Sequence, residues 1–284
     1  MYECMNELPR HIQESVRKYK PIVQDGHALF PVLVSEYTEF LIARPALEVM
    51  HQSLPVALLR LPLLSALYQM DFDAVASGKT PTGLFLRARL ALALSLRLGV
   101  GREIVERVEL LRIVVDRENP RKLKALRYMD KDGQEKDILP GQYKELRRII
   151  AAQNGVKLES DDANPDIVKA KKDMASAGGL ELDYSVENLV SAISALTQID
   201  EDSIFDWPIL KLEKQKMAWE RILTFMVCGV GEASGATWKN GNPVPHPFFP
   251  RISDGGIFSP LGSESGGTKV PEVIRESAAI TSKL

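Results

Sequence analysis

The chain has 284 residues, 45% apolar and 26% charged, with a formal net charge of −2. These are the proportions of a globular protein of one large or two modest domains, and they give no general attraction to nucleic acid or to an anionic membrane. The two cysteines, Cys4 and Cys228, are too few and too far apart for a disulfide framework or a metal knuckle.

The first twenty residues carry charge throughout and predict no signal peptide. No uncharged stretch reaches the roughly 20 residues needed to span a bilayer, so the expectation is a soluble, cytoplasmic chain. Pro9 opens a short helix over 8–20, with Ile12 and Val16 on one face. "HALFPVLV" then reads as a strand or extended entry. Ser35 is placed to cap a helix over 36–50 that carries Tyr37, Phe40, Leu41 and Leu47, and Pro45 should kink or split it.

Residues 54–98 are the densest apolar block. Thr80 and Pro81 should open its last helix and Gly99 should close it. On a helical wheel Arg87, Arg89, Ser95 and Arg97 fall on all sides, so this helix has no polar face. A helix of that kind is buried in its own protein or covered by a partner. The first reading makes it a central core helix; the second makes Leu90 and Leu94 partner contacts.

After residue 102 the pattern changes. "VELLRIVVD", "LKALRYMD" and "QEKDIL", punctuated by Asn119-Pro120 and Asp132-Gly133, predict a three-stranded antiparallel meander. Three strands need a packing partner. The next helix offers one through Tyr143, Leu146, Ile149 and Ile150, with Lys144, Arg147 and Arg148 on a solvated face and Gly155 as its stop. An acidic linker leads to a helix opened by Asn164-Pro165 and ended by Gly178-Gly179. Ser185 caps the next helix, marked by Val186, Leu189, Val190, Ile193 and Leu196. From "IFDWPIL" onwards the chain reads as its clearest amphipathic helix. Leu212, Trp219, Ile222, Leu223 and Met226 share one face, and Glu213, Lys214 and Arg221 the other. Past Gly229 the sequence is loop-like and rich in proline and glycine.

The fold class is therefore mainly α with a small antiparallel β meander (α+β), a helical core and an extended C-terminal tail. The organisation expected is a helical part over 1–102, meander plus helix over 103–160, a second helical part over 161–237, and a partly flexible tail over 238–284.

Chemistry-bearing patterns are sparse. His11, His27, His51 and His246 lack metal-ligand spacing, and no cofactor motif stands out. "GVGEASG" follows a helix instead of leading into one, and "GSESGGTK" reverses the lysine–threonine order of a phosphate-binding loop. The acidic pairs Asp71/Asp73 and Asp161/Asp162 fit caps and linkers. The basic turn at Lys144, Arg147 and Arg148 is too narrow for a nucleic-acid groove.

Three stretches resemble proteins of tailed-phage and prophage tail modules. They are "FPVLVSEYTEFLIARPALEVMHQSLP", "PGQYKELRRIIAAQNGVKLESDDANPDIVKAKKDM", and "FDWPILKLEKQKMAWERI" with "GNPVPHPFFPR". Within that neighbourhood the chain is similar to tail assembly chaperones. The resemblance implies a mostly helical, cofactor-free, non-enzymatic protein of the host cytoplasm that binds the tape measure protein and tail-tube subunits. It leaves self-association open and offers no role for nucleic acid or membrane. The meander is foreign to the simplest such chaperones and points to the alternative of a structural component of the tail or neck; an enzyme with a scattered site is a further alternative.

The partner-binding candidates are Leu90 and Leu94, the stripe of Trp219, Ile222 and Met226, and Trp238, Phe248 and Phe249 of the tail. Prolines 243, 245, 247 and 250 hold that tail extended and lower the entropy lost when it docks.

Overall fold

The computed structural model describes residues 8–159 and 185–234. The helix expected at 165–178 and the tail with Trp238, Phe248 and Phe249 lie outside the described residues. The chain divides into two units that part after Met217. One core cluster runs from Leu8 to Leu158 and takes in Ile209 and Leu210.

The architecture is mainly α with two small antiparallel sheets. Helix α1 (Arg10–Arg17) leads into the hairpin β1 (Ile22–Gln24) and β2 (His27–Leu29). A 3-10 turn then gives way to α2 (Tyr37–Glu48), followed by α3 (Leu63–Ala76), α4 (Leu84–Ser95) and α5 (Ile104–Glu109). The meander is β3 (Arg112–Val115), β4 (Leu123–Met129) and β5 (Glu135–Ile138), with β4 central. After it come α6 (Tyr143–Gln153), α7 (Val186–Thr197), α8 (Glu201–Phe205) and α9 (Ile209–Ala233).

Helix α4 is the centre of the first unit. Phe85, Ala88 and every residue from Leu90 to Ser95 are buried, and α2 lies along it more extensively than any other element. Small side chains on both helices (Ala43 and Ala46 on α2; Ala88, Ala91 and Ala93 on α4) are fully buried and let the backbones approach. Leu90 is 1% exposed and Leu94 0%. The partner-contact reading of these two leucines is therefore corrected: their surface is already used inside the chain.

The ends of α4 differ from expectation. It starts at Leu84, three residues after Pro81, because Gly83 takes a left-handed φ of 71° at the cap position. Asp71 of α3 performs the capping: its Oδ1 accepts from the amides of Thr82 (2.8 Å) and Gly83 (3.3 Å), and its Oδ2 from that of Phe85 (3.2 Å). The helix closes at Arg97, not Gly99. Arg97 adopts φ 54°, its amide reaches the Leu94 carbonyl (3.0 Å), and the Leu98 amide reaches that of Ala93 (2.9 Å). Gly155 closes α6 in the same way, as expected, with φ 73°.

Two further corrections concern α2. Ser35 lies within the 3-10 turn Val34–Glu36 and does not cap the helix, and the helix runs unbroken through Pro45. Its final carbonyls are taken by Arg147, expected on a solvated face but only 6% exposed. Arg147 donates from Nε to the Leu47 carbonyl (2.6 Å) and from Nη2 to that of Val49 (2.7 Å). A cation at a helix C-terminus also meets the favourable end of the helix dipole. Arg89 of α4 repeats the device, donating from Nη2 to the carbonyls of Val108 (2.8 Å) and Leu111 (2.6 Å) at the end of α5. Charges on apparently core-facing helices are thus used to close the ends of other helices.

The meander forms as the sequence predicts, with Leu123, Ala125, Leu126 and Tyr128 of β4 buried. The helix against β4 is α3, whereas α6 packs mainly against α1, α3, α4 and β2. Tyr143, Leu146, Ile149 and Ile150 form the buried stripe expected of α6. Gln153 and Asn154 at its end tie down the N-terminal segment: Asn154 Oδ1 accepts from the Val32 amide (2.8 Å), and Gln153 Nε2 donates to the Leu29 carbonyl (3.2 Å).

Ser185 caps α7 as expected, accepting from the Asn188 amide (3.3 Å). "IFDWPIL" does not belong to one long helix. α8 ends at Phe205, the chain breaks at Trp207-Pro208, and segment 32–34 pairs with 207–209 before α9 begins. α9 continues past Gly229 to Ala233. The cleanest division into apolar and polar faces belongs to α1 and α6, not α9. No described helix is long and apolar enough to cross a membrane.

Candidate functional site

Helix α9 changes character along its length. Ile209, Leu210 and Leu212 are buried. On the face read as polar, Glu213 accepts a hydrogen bond from Tyr37 Oη (3.1 Å), and Lys214 Nζ stands 4.8 Å from the centre of the Tyr19 ring. Further along, Trp219 and Ile222 are half-buried. Beyond them Leu223 is 44% exposed, Met226 58%, Val227 71% and Val230 68%. At the α-helical rotation per residue these four share an arc of about 100°. Trp219 falls on the same arc. Cys228, on another side, is buried. Of the sequence candidates, Met226 is therefore accessible, Trp219 and Ile222 partly so, and Leu90 and Leu94 not at all. Trp238, Phe248 and Phe249 lie outside the described residues.

The first unit holds a different feature, a cleft of about 750 Å³. It forms where the end of α4, helix α5, the start of β3, the exit of β2 and the β4–β5 hairpin come together. Leu96, Leu98 and Leu110 supply apolar lining, and the remainder is strongly charged. Phe30 contributes its ring to this lining. The Cζ of Arg97 lies 4.9 Å from the ring centre and Lys131 Nζ 4.5 Å, both within cation–π range.

Part of this charge is neutralised locally. Arg127 holds Asp137 in a two-pronged pair, Nε to Oδ1 at 2.7 Å and Nη2 to Oδ2 at 2.9 Å, and reaches Glu135 at 3.6 Å. Lys136 pairs with Asp130 at 2.9 Å. The Lys136 contact and the amides of Gln134 and Asp132 hold the Asp130 carboxyl below its ordinary range. Arg97, Arg102, Arg112 and Lys131 make no ion pair among the described residues, and neither do the carboxylates Glu106, Glu109 and Asp132.

Beside the cleft, His27 is buried, its Nδ1 2.9 Å from Tyr128 Oη. Burial pushes its pKa down, with Lys136 adding to the shift, while Gln142 and Asp25 oppose it. Burial pushes Tyr128 up to about 12. No group of three or more His, Cys, Asp or Glu among the described residues is arranged to hold a metal ion. The cleft offers cations over an aromatic ring, a charged rim and an apolar lining.

Sequence reasoning missed this cleft because its cations come from separate elements. Arg97 ends α4, Arg102 precedes α5, Arg112 is on β3 and Lys131 is in the β4–β5 turn. No local signal marked it, since the left-handed backbone of Arg97 at the end of α4 is visible only in the structure.

No protein-family model, curated protein or solved structure matches the chain.

Proposed function

We propose that this protein is an assembly factor of a phage or prophage tail module, a tail assembly chaperone in kind. It acts in the host cytoplasm by binding the tape measure protein, tail-tube subunits or both, without catalysis. The observation that carries this reading is the exposed apolar arc of Leu223, Met226, Val227 and Val230 on α9. An apolar stripe at helical spacing suits a partner that is itself an amphipathic helix. A tape measure, long and helical, presents such surface. The resemblance of three stretches of the sequence to tail-module proteins supplies the choice of partner, and Trp219 extends the arc towards the body of the helix.

Co-expression with the tape measure and tube proteins of the same tail module tests the proposal. The expected result is co-purification that Leu223→Glu combined with Met226→Glu abolishes while leaving the melting temperature unchanged. Failure of the unaltered protein to retain either partner, or full retention by the double variant, overturns it.

The observed meander favours a second reading, a structural component of the tail or neck. A component stays in purified particles, whereas an assembly factor is absent from them.

A further inference from the structure

Three departures from ordinary local preference meet at the cleft. Arg97 occupies the left-handed position that ends α4, with φ 54°, where glycine is the residue with least strain. Arg112 stands directly opposite Arg127 across the β3–β4 ladder. Like charges in that register repel, and Asp137 neutralises only Arg127. The ring of Phe30 carries both Arg97 and Lys131, neither with a carboxylate at ion-pair distance among the described residues. Local costs that converge on one concave surface mark a place where the chain is shaped for something other than its own stability.

We propose that the cleft is the docking site for an acidic segment of a partner polypeptide, with its carboxylates received by Arg97 and Lys131 at Phe30. The inference rests on reading the protein as a binder of polypeptides, and it names a second contact separate from the α9 arc. Charge complementarity selects the occupant: Arg97, Lys131, Arg102 and Arg112 are the cleft cations that have no ion pair among the described residues. Glu106, Glu109 and Asp132 line the same cleft and repel a uniform polyanion such as a nucleic-acid backbone. A polypeptide can place carboxylates where the cations are and other side chains elsewhere. The leucine lining gives an apolar neighbour of the carboxylate somewhere to bury.

Calorimetric titration of the full chain with a capped ten-residue peptide of alternating glutamate and leucine tests this, with a lysine–leucine peptide and inorganic phosphate as controls. Saturable binding of the glutamate peptide is expected, weakening with added salt, and none of the lysine peptide. Arg97→Gly combined with Lys131→Gln should weaken binding at least roughly tenfold. Glycine accepts the left-handed backbone at position 97, so the melting temperature of the double variant should not fall.

The proposal is overturned if the glutamate peptide does not bind, if the double variant binds it equally well, or if phosphate competes at the same concentration as the peptide. Failure of the tape measure to bind, with peptide binding intact and dependent on Arg97, removes the α9 reading and leaves the cleft standing. Loss of the peptide result alone does the reverse.

Discussion

Helix α4 and the outer half of α9 are made of similar side chains and meet opposite fates. The run from Leu90 to Ser95 is enclosed on every side, while Leu223, Met226, Val227 and Val230 face water. Composition does not distinguish them; neighbours do. α4 has α2, α3, α5 and α6 around it, and its awkward arginine, Arg89, reaches the carbonyls at the end of α5 through Nη2. Apolar sequence therefore marks a need for cover, and only the fold tells whether the chain itself supplies that cover.

The largest expected effect breaks the enclosed side of this comparison. Leu94→Ala should destabilise the protein by about 2–5 kcal/mol, the lost transfer energy plus the cavity left in a packed core. For a chain of this size that is a fall in melting temperature on the order of 5–15 °C, measured by thermal unfolding. A shift no larger than that of a surface substitution would mean that α4 is not core.

Arg147→Met comes next. Methionine keeps the helix propensity and much of the length of arginine but strands the carbonyls of Leu47 and Val49. A loss of about 2–3 kcal/mol is expected in denaturant unfolding. An unchanged midpoint would mean that the end of α2 does not depend on this guanidinium.

His27 gives a smaller, pH-dependent effect. Burial lowers its pKa in the folded state below the ordinary value near 6.5. As the pH drops through that value, the unfolded chain takes up a proton that the folded chain resists. Stability is therefore lost on acidification, down to the depressed folded pKa, with a slope of at most about 1.4 kcal/mol per pH unit. In His27→Gln that part of the slope should vanish between pH 6.5 and 5. Unfolding midpoints measured across this range would show an undiminished slope if another group were responsible.

What was legible in the sequence follows the same division. Period and punctuation located the meander, the Ser185 cap, the stripe of α6 and its stop at Gly155, because each depends on residues close together in the chain. The α4 ends were misplaced because their determinants are tertiary: Asp71 reaches across from α3, and Arg97 takes a backbone conformation that its side chain does not advertise. Arg147 was read as solvated because its partners, the carbonyls of Leu47 and Val49, are 98 to 100 residues away. The cleft was invisible for the same reason. Its cations acquire meaning only when the β4–β5 hairpin is brought beside the end of α4.

The smallest expected change in stability tests the open side of the comparison. Leu223→Glu with Met226→Glu replaces exposed side chains by another good helix former, so the helix itself has little reason to weaken. Substitutions of exposed residues that make no special contact usually alter stability by no more than about 0.5 kcal/mol each. The same two changes place charge in the middle of the apolar arc, where a partner helix would have to desolvate it. The prediction is thus a separation of two readouts: thermal unfolding almost unmoved, and retention of the tape measure protein lost. If unfolding shifts by several degrees while retention persists, the outer half of α9 is covered by its own chain, and α4 and α9 become two instances of one arrangement.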